Sequence, residues 1–444
     1  MKKRILIINP GSKTICSEFR FFPPLIFAII GRLTPPQYEL IFIDENVDNL
    51  EEYVCDLVGI TTTHNVNRAY EIATIFKDKS VPVILGGIHV SALPEEASAF
   101  CDSVVIGNVE SVWQQVLADF ENNSLEKFYI GDNKTYEFVE PATSFFADKY
   151  FAYALETSRG CNNNCSFCGI HVPFPQPHKR KPIKIIIEEL KKTPKPFVFI
   201  IDNNFYGNDD EYLLCLFKEL QKHKIKKVFF AAVSVEFYKN IKLVKAAAKC
   251  GLRMVFVGFE SDSELGLKQL NKKNVTNTKS IYEEYKQIIK QSHRYGILVS
   301  GKGIIGIETD TEEIINKRLR FFKKLNIDEF SYAILTPLPG TRLFETLKNE
   351  NRLLYLNFPA DWIKYDHATN TFRHPNLSKE KLEEYIRIYS KPGVVKMIKS
   401  LFVTRSIKGL LLFYAYNYYF IGFQNRMLDT LLKRYLKTKG LLLP

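Results

Sequence analysis

The stretch TSRGCNNNCSFCGIH, residues 157–171, brings three cysteines into eight residues: Cys161, Cys165 and Cys168. A structural zinc ion usually takes four protein ligands, often from two separated C-x-x-C pairs. Here one C-x3-C-x2-C run stands alone, and although His171 offers a fourth ligand for a Cys3His zinc site, no matching second pair occurs elsewhere. Iron–sulfur clusters are held by cysteine thiolates closely spaced in one loop. Three thiolates on a 4Fe–4S cluster leave one iron open, and an open coordination position separates a catalytic metal from a structural one. The spacing favours the cluster, with zinc and inert thiols as the alternatives.

The residues around this loop set its place in a fold. AYALETS (152–158) reads as a strand running straight into it. FVFIID (197–202), KVFFAAV (227–233), RMVFVGFE (253–260), LVSGKGIIGI (298–307) and FSYAIL (330–335) follow as strands, separated by helical stretches such as DEYLLCLFKELQKH and TEEIINKRLRFFKKL. Six β/α units in a row predict a barrel or partial (β/α) barrel over residues 151–345. Ligands in such folds gather at the C-terminal ends of the strands, where the cysteine loop lies. Upstream, RILIIN (4–9), ELIFID (39–44), LVGITT (57–62), VPVILGG (81–87) and SVVIG (103–107) alternate with helical segments. Near-continuous apolar strands joined by helices predict a parallel sheet covered on both faces, a Rossmann-like domain over residues 1–125. Residues 126–150 read as a linker and 346–444 as a helical, basic and aromatic C-terminal region. The fold class is α/β throughout.

Composition bounds the rest. The 444 residues suffice for two or three domains with sizeable cores. Of eight cysteines, Cys16, Cys55, Cys101, Cys215 and Cys250 are scattered singly. That is not a secreted disulfide framework and points to a reducing, cytoplasmic setting. MKKRILIINP is too short in its apolar run for a signal peptide and reads as a first strand. The net charge of +12 is concentrated in residues 391–444, which hold ten Lys/Arg against the single acid Asp429. Within that tail GLLLFYAYNYYFIGFQN (409–425) is uncharged, but it is short for a spanning helix and Asn417 interrupts it. It reads either as an aromatic helix packed on the main body or as a peripheral contact with the anionic inner face of a membrane. A nucleic-acid partner is not expected, since the charge lies mainly in one tail and no recognition module precedes it.

Cys161, Cys165 and Cys168, with Phe167 just before the last cysteine and a strand just before the loop, resemble the radical S-adenosylmethionine (SAM) superfamily. The resemblance implies that the open iron binds the amino and carboxylate groups of SAM, and that the reduced cluster cleaves SAM to a 5′-deoxyadenosyl radical. It further implies SAM contacts at Asp202 and Asn203 after the second barrel strand, at Glu260 after the fourth, and at Ser300 and Gly306 on the fifth, where GIIGIETDT (303–311) resembles the family's glycine motif. For Asp202 and Asn203 the alternative is a helix N-cap; for Glu260 it is a surface acid.

A Rossmann-like domain ahead of such a barrel resembles the cobalamin-binding members of the superfamily, and this correspondence covers nearly the whole chain. It implies three ligand loops: LVGITTTHN with Thr61, Thr62 and His64; ILGGIHVSALPEEA with Gly86, Gly87, Ile88 and His89; and VVIGNVES with Gly107 and Glu110. Gly59, Gly86, Gly87 and Gly107 leave room for a large flat cofactor and its nucleotide tail to approach backbone; the alternative is an ordinary sheet with turn glycines. No G-x-G-x-x-G run argues for a nicotinamide cofactor. The Asp-x-His-x-x-Gly signature, whose histidine ligates cobalt in many cobalamin proteins, is missing, so ligation through that motif is excluded. The family's Gly-Glu-x-Glu loop reads Gly107-Asn108-Val109-Glu110, keeping only the second acid. TPLPGTRLFETLKNENRLL, DWIKYDHAT and FRHPNLSKEKLEEY resemble a subgroup that includes hopanoid-modifying methylases. The resemblance therefore implies a cobalamin-dependent radical SAM methyltransferase acting on an unactivated carbon of a small molecule or lipid, with a reducing electron donor such as flavodoxin or ferredoxin. The alternatives are a radical SAM cyclase or oxidoreductase without methyl transfer, and a non-catalytic iron–sulfur binding module.

Overall fold

The structure, a computed structural model, describes residues 2–11, 22–51, 53–62, 65–132, 137–142, 150–272, 280–389 and 403. Two parallel sheets organise them. The first comprises β1 (Arg4–Asn9), β2 (Glu39–Asp44), β3 (Leu57–Thr61), β4 (Val83–Gly86), β5 (Ser103–Ile106) and β6 (Phe128–Ile130), in the order β2-β1-β3-β4-β5-β6. The order reverses direction between β1 and β3, and ligands of open α/β sheets bind at the C-terminal strand ends beside such a reversal. β6 lies inside the stretch expected as a linker. Its three residues are too short to show a strand period, and the pairing of Val105 with Tyr129 adds them to the sheet edge.

The second sheet follows a short hairpin. β7 (Tyr153–Leu155) leads into β8 (Ser158–Arg159), which pairs antiparallel with β9 (Lys179–Arg180). Then come β10 (Phe197–Ile200), β11 (Val228–Val233), β12 (Leu252–Glu260), β13 (Leu298–Ile305) and β14 (Glu329–Ile334). The order β14-β13-β12-β11-β10-β7 is all parallel, the open partial barrel expected from the six β/α units.

Alternation along the strands decides which side faces the helices. Val198 and Ile200, Phe229 and Ala231, and Val255, Val257 and Phe259 join the helices Asp210–Lys222 and Ile241–Lys249 in one buried core. At about 1.5–3 kcal/mol for each large apolar side chain removed from water, this layer is the main stabilising term of the barrel. On the first sheet, Ile5, Ile7, Leu57, Ile84 and Val105 pack against the helices Leu25–Leu33 and Trp113–Glu121. The opposite face packs against the helix Val66–Asp78 and against Phe344, Trp362 and Phe372 of the C-terminal segment. That core also takes in Ile304 and Leu335 of the barrel, so residues 343–372 pack on both sheets at once. Among the described residues no helix is long and apolar enough to cross a membrane. Apart from Val403, the basic tail 391–444 lies outside the described residues.

Candidate active site

The cysteine loop is shaped by what surrounds it. The β8–β9 hairpin folds the chain back, and the Cys161 amide donates to the Gln176 carbonyl at 3.1 Å. Gly160 sits at φ +85°, and a Cβ there would lie 2.4 Å from the Pro177 carbonyl oxygen. Only glycine fits that turn, one residue before the first thiol. Cys165 is pinned from both sides. The Asn164 carbonyl accepts from Asn271 Nδ2 and from Arg342 Nη2, each at 2.5 Å. The Ser166 amide donates to the Leu270 carbonyl, while its own carbonyl accepts from the Leu343 amide, each at 3.0 Å. Two distant segments, one after β12 and one after β14, thus fix the backbone of the central cysteine.

All three thiols are free and partly buried. Burial pushes them up, Cys165 to about 11, and the Lys272 ammonium works against that shift. Binding to a metal deprotonates such a thiol outright. The zinc alternative needs His171, whose ring is committed elsewhere. Its Nε2 donates to the Asn163 carbonyl at 2.8 Å and its Nδ1 accepts from the Gln176 amide at 3.1 Å. Among the described residues no three His, Cys, Asp or Glu side chains converge on one ion-sized point. Three soft thiolates in one loop suit a cluster, each binding a different iron. Phe167 packs against the core shared by the first sheet and the C-terminal segment.

The residues expected to touch SAM lie along the C-terminal edge of the barrel or just beneath it. Asp202 is buried, and its carboxylate accepts from the Thr157 amide at 2.7 Å and from the Thr157 and Ser158 hydroxyls at 2.5 Å each. Burial raises its pKa to about 6. It caps no helix, since Asp209 caps the next one; its described bonds hold the chain that enters the cysteine loop. Asn203 accepts from the Gly160 amide at 3.3 Å. Glu260 is no surface acid: it is buried, adopts φ +61° and forms a 2.9 Å ion pair with Lys272. A non-glycine residue held in that region is strained, and such strain concentrates at working sites. The Gly306 amide donates to Asp310, whose carboxylate also binds Arg318 at 2.7 Å. Ser300 is fully buried in mid-strand and its hydroxyl donates to Glu329.

A cavity of about 260 Å³ opens at the C-terminal edge of the first sheet. Its wall is apolar, with Ile7, Ile60 and Ile84 from the strands and Ile29, Ile30 and Trp113 from the helices. Its floor and rim include Gly59, Thr61, Gly86, Gly87, Gly107 and Glu110. Gly87 sits at φ +119°, and a Cβ there would meet the Thr62 backbone at 2.9 Å. A slot of this size and polarity fits the nucleotide tail of a large cofactor whose flat face stays outside. The other residues expected there lie beyond the lining. Thr62 Oγ1 donates to the Gly86 carbonyl at 3.0 Å, tying two loops together, and Ile88 is half-exposed. The His89 ring packs edge-on to Trp362 with Nε2 3.6 Å from Glu96, turned to the C-terminal segment. His64 lies outside the described residues.

Arg159, which the sequence reading passed over, joins the two sites. It lines the cavity, yet stands two residues before Cys161. Its guanidinium reaches Glu156 at 2.6 and 2.9 Å, Glu110 at 2.8 Å and Asn108 at 3.0 Å. The available signal was a charged residue four positions past a barrel strand, in the loop at its C-terminal end. Lys272 and the Asp310–Arg318 pair carried no comparable signal, because partners 12 and 8 residues apart match no helical pairing of charges.

Comparison with known proteins agrees with this geometry. Residues 155–322 match the Radical SAM superfamily. The chain is 29% identical over 419 residues to bacteriochlorophyllide d C-8(2)-methyltransferase of Chlorobaculum tepidum, covering 87% of this chain and 89% of that one. It is 25% identical over 357 residues to the hopanoid C-2 methylase of Rhodopseudomonas palustris, covering 76% and 66%. Its fold matches the cobalamin-dependent S-adenosylmethionine radical enzyme OxsB with a TM-score of 0.66 at 15% identity, over 99% of this chain and 76% of that one. The match runs through the cysteine loop and the barrel strands that carry the buried acids, so over residues 155–322 the chain is similar to the enzymes of the radical SAM superfamily.

Proposed function

We propose that the protein is a cobalamin-dependent methyltransferase that acts on an unactivated carbon of a small molecule or lipid. The observation that carries this reading is the Arg159 bridge, which ties the rim of the first-sheet cavity to the base of the cysteine loop. Two sites joined through one side chain suit two cofactors that must meet at one substrate. The two relatives compared above, a bacteriochlorophyllide d C-8(2)-methyltransferase and a hopanoid C-2 methylase, support methyl transfer over cyclisation.

When bound, the cluster and SAM supply a 5′-deoxyadenosyl radical that abstracts hydrogen, and methylated cobalamin supplies the methyl group. The chain's own residues hold and orient. Cys161, Cys165 and Cys168 hold the cluster, and Asp202 fixes the chain leading to them. Asn203, Glu260 and Gly306 stand at the edge where SAM would lie. Gly59, Gly86, Gly87 and Gly107 leave backbone exposed to cobalamin, and the isoleucine wall keeps water from its tail. A small one-electron donor of the flavodoxin or ferredoxin kind supplies the reductant. The basic tail provides a peripheral membrane contact for a lipid substrate.

The test is cofactor retention followed by product mass. Protein purified without oxygen, rebuilt with iron and sulfide, mixed with hydroxocobalamin and desalted is expected to keep about four irons and about one cobalamin per chain. Products from candidate extracts should be heavier by one CH2. Iron without cobalamin would remove the methyltransferase reading and leave a radical SAM enzyme of another reaction.

A further inference from the structure

The loop from Cys161 to Cys168 carries no charged side chain of its own. A cation from elsewhere in the chain is held against it. Residues 269–272 run along the loop backbone: Asn271 Nδ2 donates to the Asn164 carbonyl at 2.5 Å, and the Ser166 amide donates to the Leu270 carbonyl at 3.0 Å. Those two contacts flank Cys165, and Lys272 is the next residue of the segment. Its ammonium lies 2.9 Å from Glu260 Oε1, in a pair whose side chains keep 17% and 11% of their exposure. The surroundings are shaped for this pair. Glu260 adopts φ +61°, a strained backbone, beside a register shift between β12 and β13. Gly258 leaves the space clear, since a Cβ there would overlap Glu260 Oε1 and lie 2.7 Å from Lys272 Nζ. A largely buried ion pair is often no more stabilising than apolar packing of the same volume, so stability does not explain the arrangement. Its effect on the cysteines does. Burial pushes the three thiols up, and the Lys272 charge opposes that push at each of them. At every thiol it outweighs the strongest carboxylate, which is Glu236 at Cys161 and Glu260 at Cys165 and Cys168.

We propose that Lys272 is a positioning residue that acts through the cluster: its ammonium, held by Glu260 beside the three cysteines, raises the reduction potential of the cluster they carry. The inference rests on the cluster reading of Cys161, Cys165 and Cys168, and adds the group that sets how readily that cluster takes an electron. Net charge and surroundings are among the features that fix an iron–sulfur potential. The step concerned is the passage of one electron from a small carrier of the flavodoxin or ferredoxin kind. The carrier is oxidised, the cluster is reduced and gains one negative charge, and no bond forms or breaks. A fixed cation close to the thiolates favours the more negative state, and it does so more strongly where water is scarce. Glu260 holds that cation and also offsets part of its field. The two partners therefore act on the potential in opposite directions, which a pair kept only for packing would not do.

The experiment is a redox titration of the full chain with its cluster rebuilt and no SAM added, so that any contact of Glu260 with SAM does not enter. The reduced cluster is followed by electron paramagnetic resonance, and iron is counted on the same sample. Lys272→Met should make the cluster about tenfold harder to reduce, a downward shift of about 59 mV for one electron. Glu260→Gln should make it about threefold easier to reduce, because the cation stays and its counter-charge goes. Lys272→Arg keeps the charge and should hold the potential within about twofold of the parent. Potentials unmoved by Lys272→Met and Glu260→Gln overturn the inference, and so do shifts of both in the same direction. If Lys272→Met loses its iron, Glu260→Gln decides alone, and a potential at or below that of the parent overturns the inference. Loss of iron from both variants makes the pair a structural support and overturns it as well. A parent chain that takes up no iron overturns the cluster reading beneath, whereas a full cluster with an unmoved potential leaves that reading standing.

Discussion

Arg159 Nη2 lies 2.8 Å from Glu110 Oε1. One residue belongs to the hairpin that opens the cysteine loop, the other to the third loop of the first sheet. The same guanidinium is bidentate to Glu156, so one cation serves two largely buried carboxylates. Removing the cation leaves both acids unpaired in a place water hardly reaches.

Arg159→Met is therefore expected to destabilise the protein by about 3–5 kcal/mol, the usual cost of breaking a buried pair by deleting one partner. Arg159→Lys should recover part of this, since an ammonium keeps the charge but not the fork that binds Glu156 through two nitrogens. Urea unfolding followed by far-UV circular dichroism reads both changes. An Arg159→Met midpoint equal to that of the parent would mean the bridge contributes nothing to holding the two sites together.

His171 and Cys165 separate the two metals considered for the loop. Cys165→Ala should lose the cluster and stop 5′-deoxyadenosine formation. His171→Ala should keep about four irons per chain, because both ring nitrogens already serve backbone groups. The substitution removes two loop hydrogen bonds, so a loss of about 1–3 kcal/mol in stability is expected alongside intact iron content. Iron analysis and the visible spectrum of the rebuilt protein decide the matter, and loss of all metal in His171→Ala would reinstate the histidine as a ligand.

Much of this architecture was legible in the sequence because its signals are local. RILIIN and ELIFID are β1 and β2 to the residue, since strands of a parallel sheet covered by helices read as apolar runs. The cysteine spacing placed its loop after the first barrel strand for the same reason. What stayed illegible depends on partners far apart in the chain. Asp202 follows a strand and invites a ligand role, but its partners Thr157 and Ser158 lie more than forty residues upstream. His89 sits in a ligand loop by sequence, yet its ring is drawn to Trp362, over 270 residues away. Periodicity reports which face of an element is buried and says nothing about which distant group covers it.

Gly86 and Gly87 are adjacent in the second loop and should respond differently to alanine. At Gly87, φ +119° and a Cβ 2.9 Å from the Thr62 amide nitrogen make the substitution strained and crowded. A loss of about 1–3 kcal/mol is expected there. At Gly86 the nearest atom to a Cβ is Val105 Cβ at 3.7 Å, an ordinary contact. Gly86→Ala should fold with near-parental stability while narrowing the cavity it lines. Thermal unfolding without cofactors, paired with cobalamin retention after desalting, gives both readings. Equal stability of the two variants would show that the loop relaxes freely around Gly87.

Asp202 sets a pH dependence whose sign follows from its burial. Its pKa rises from 3.8 to about 6 on folding, because burial disfavours the charged carboxylate more than the Thr157 and Ser158 donors favour it. Below the unfolded value both states hold the proton and the contribution is flat. Between about pH 4 and 6 the unfolded chain releases the proton while the folded one keeps it, so stability falls as pH rises. The drop is roughly 3 kcal/mol, at about 1.4 kcal/mol for each unit of displacement, and it levels off above the folded value. Asp202→Asn removes this titration. Glu189, also pushed up by burial, titrates in parent and variant alike, so the difference between the two isolates Asp202. Urea unfolding of both proteins from pH 4 to 7 should show the parent losing ground to the variant as pH rises. A constant difference across that range would place the Asp202 pKa at its ordinary value and remove the claim that burial dominates its environment.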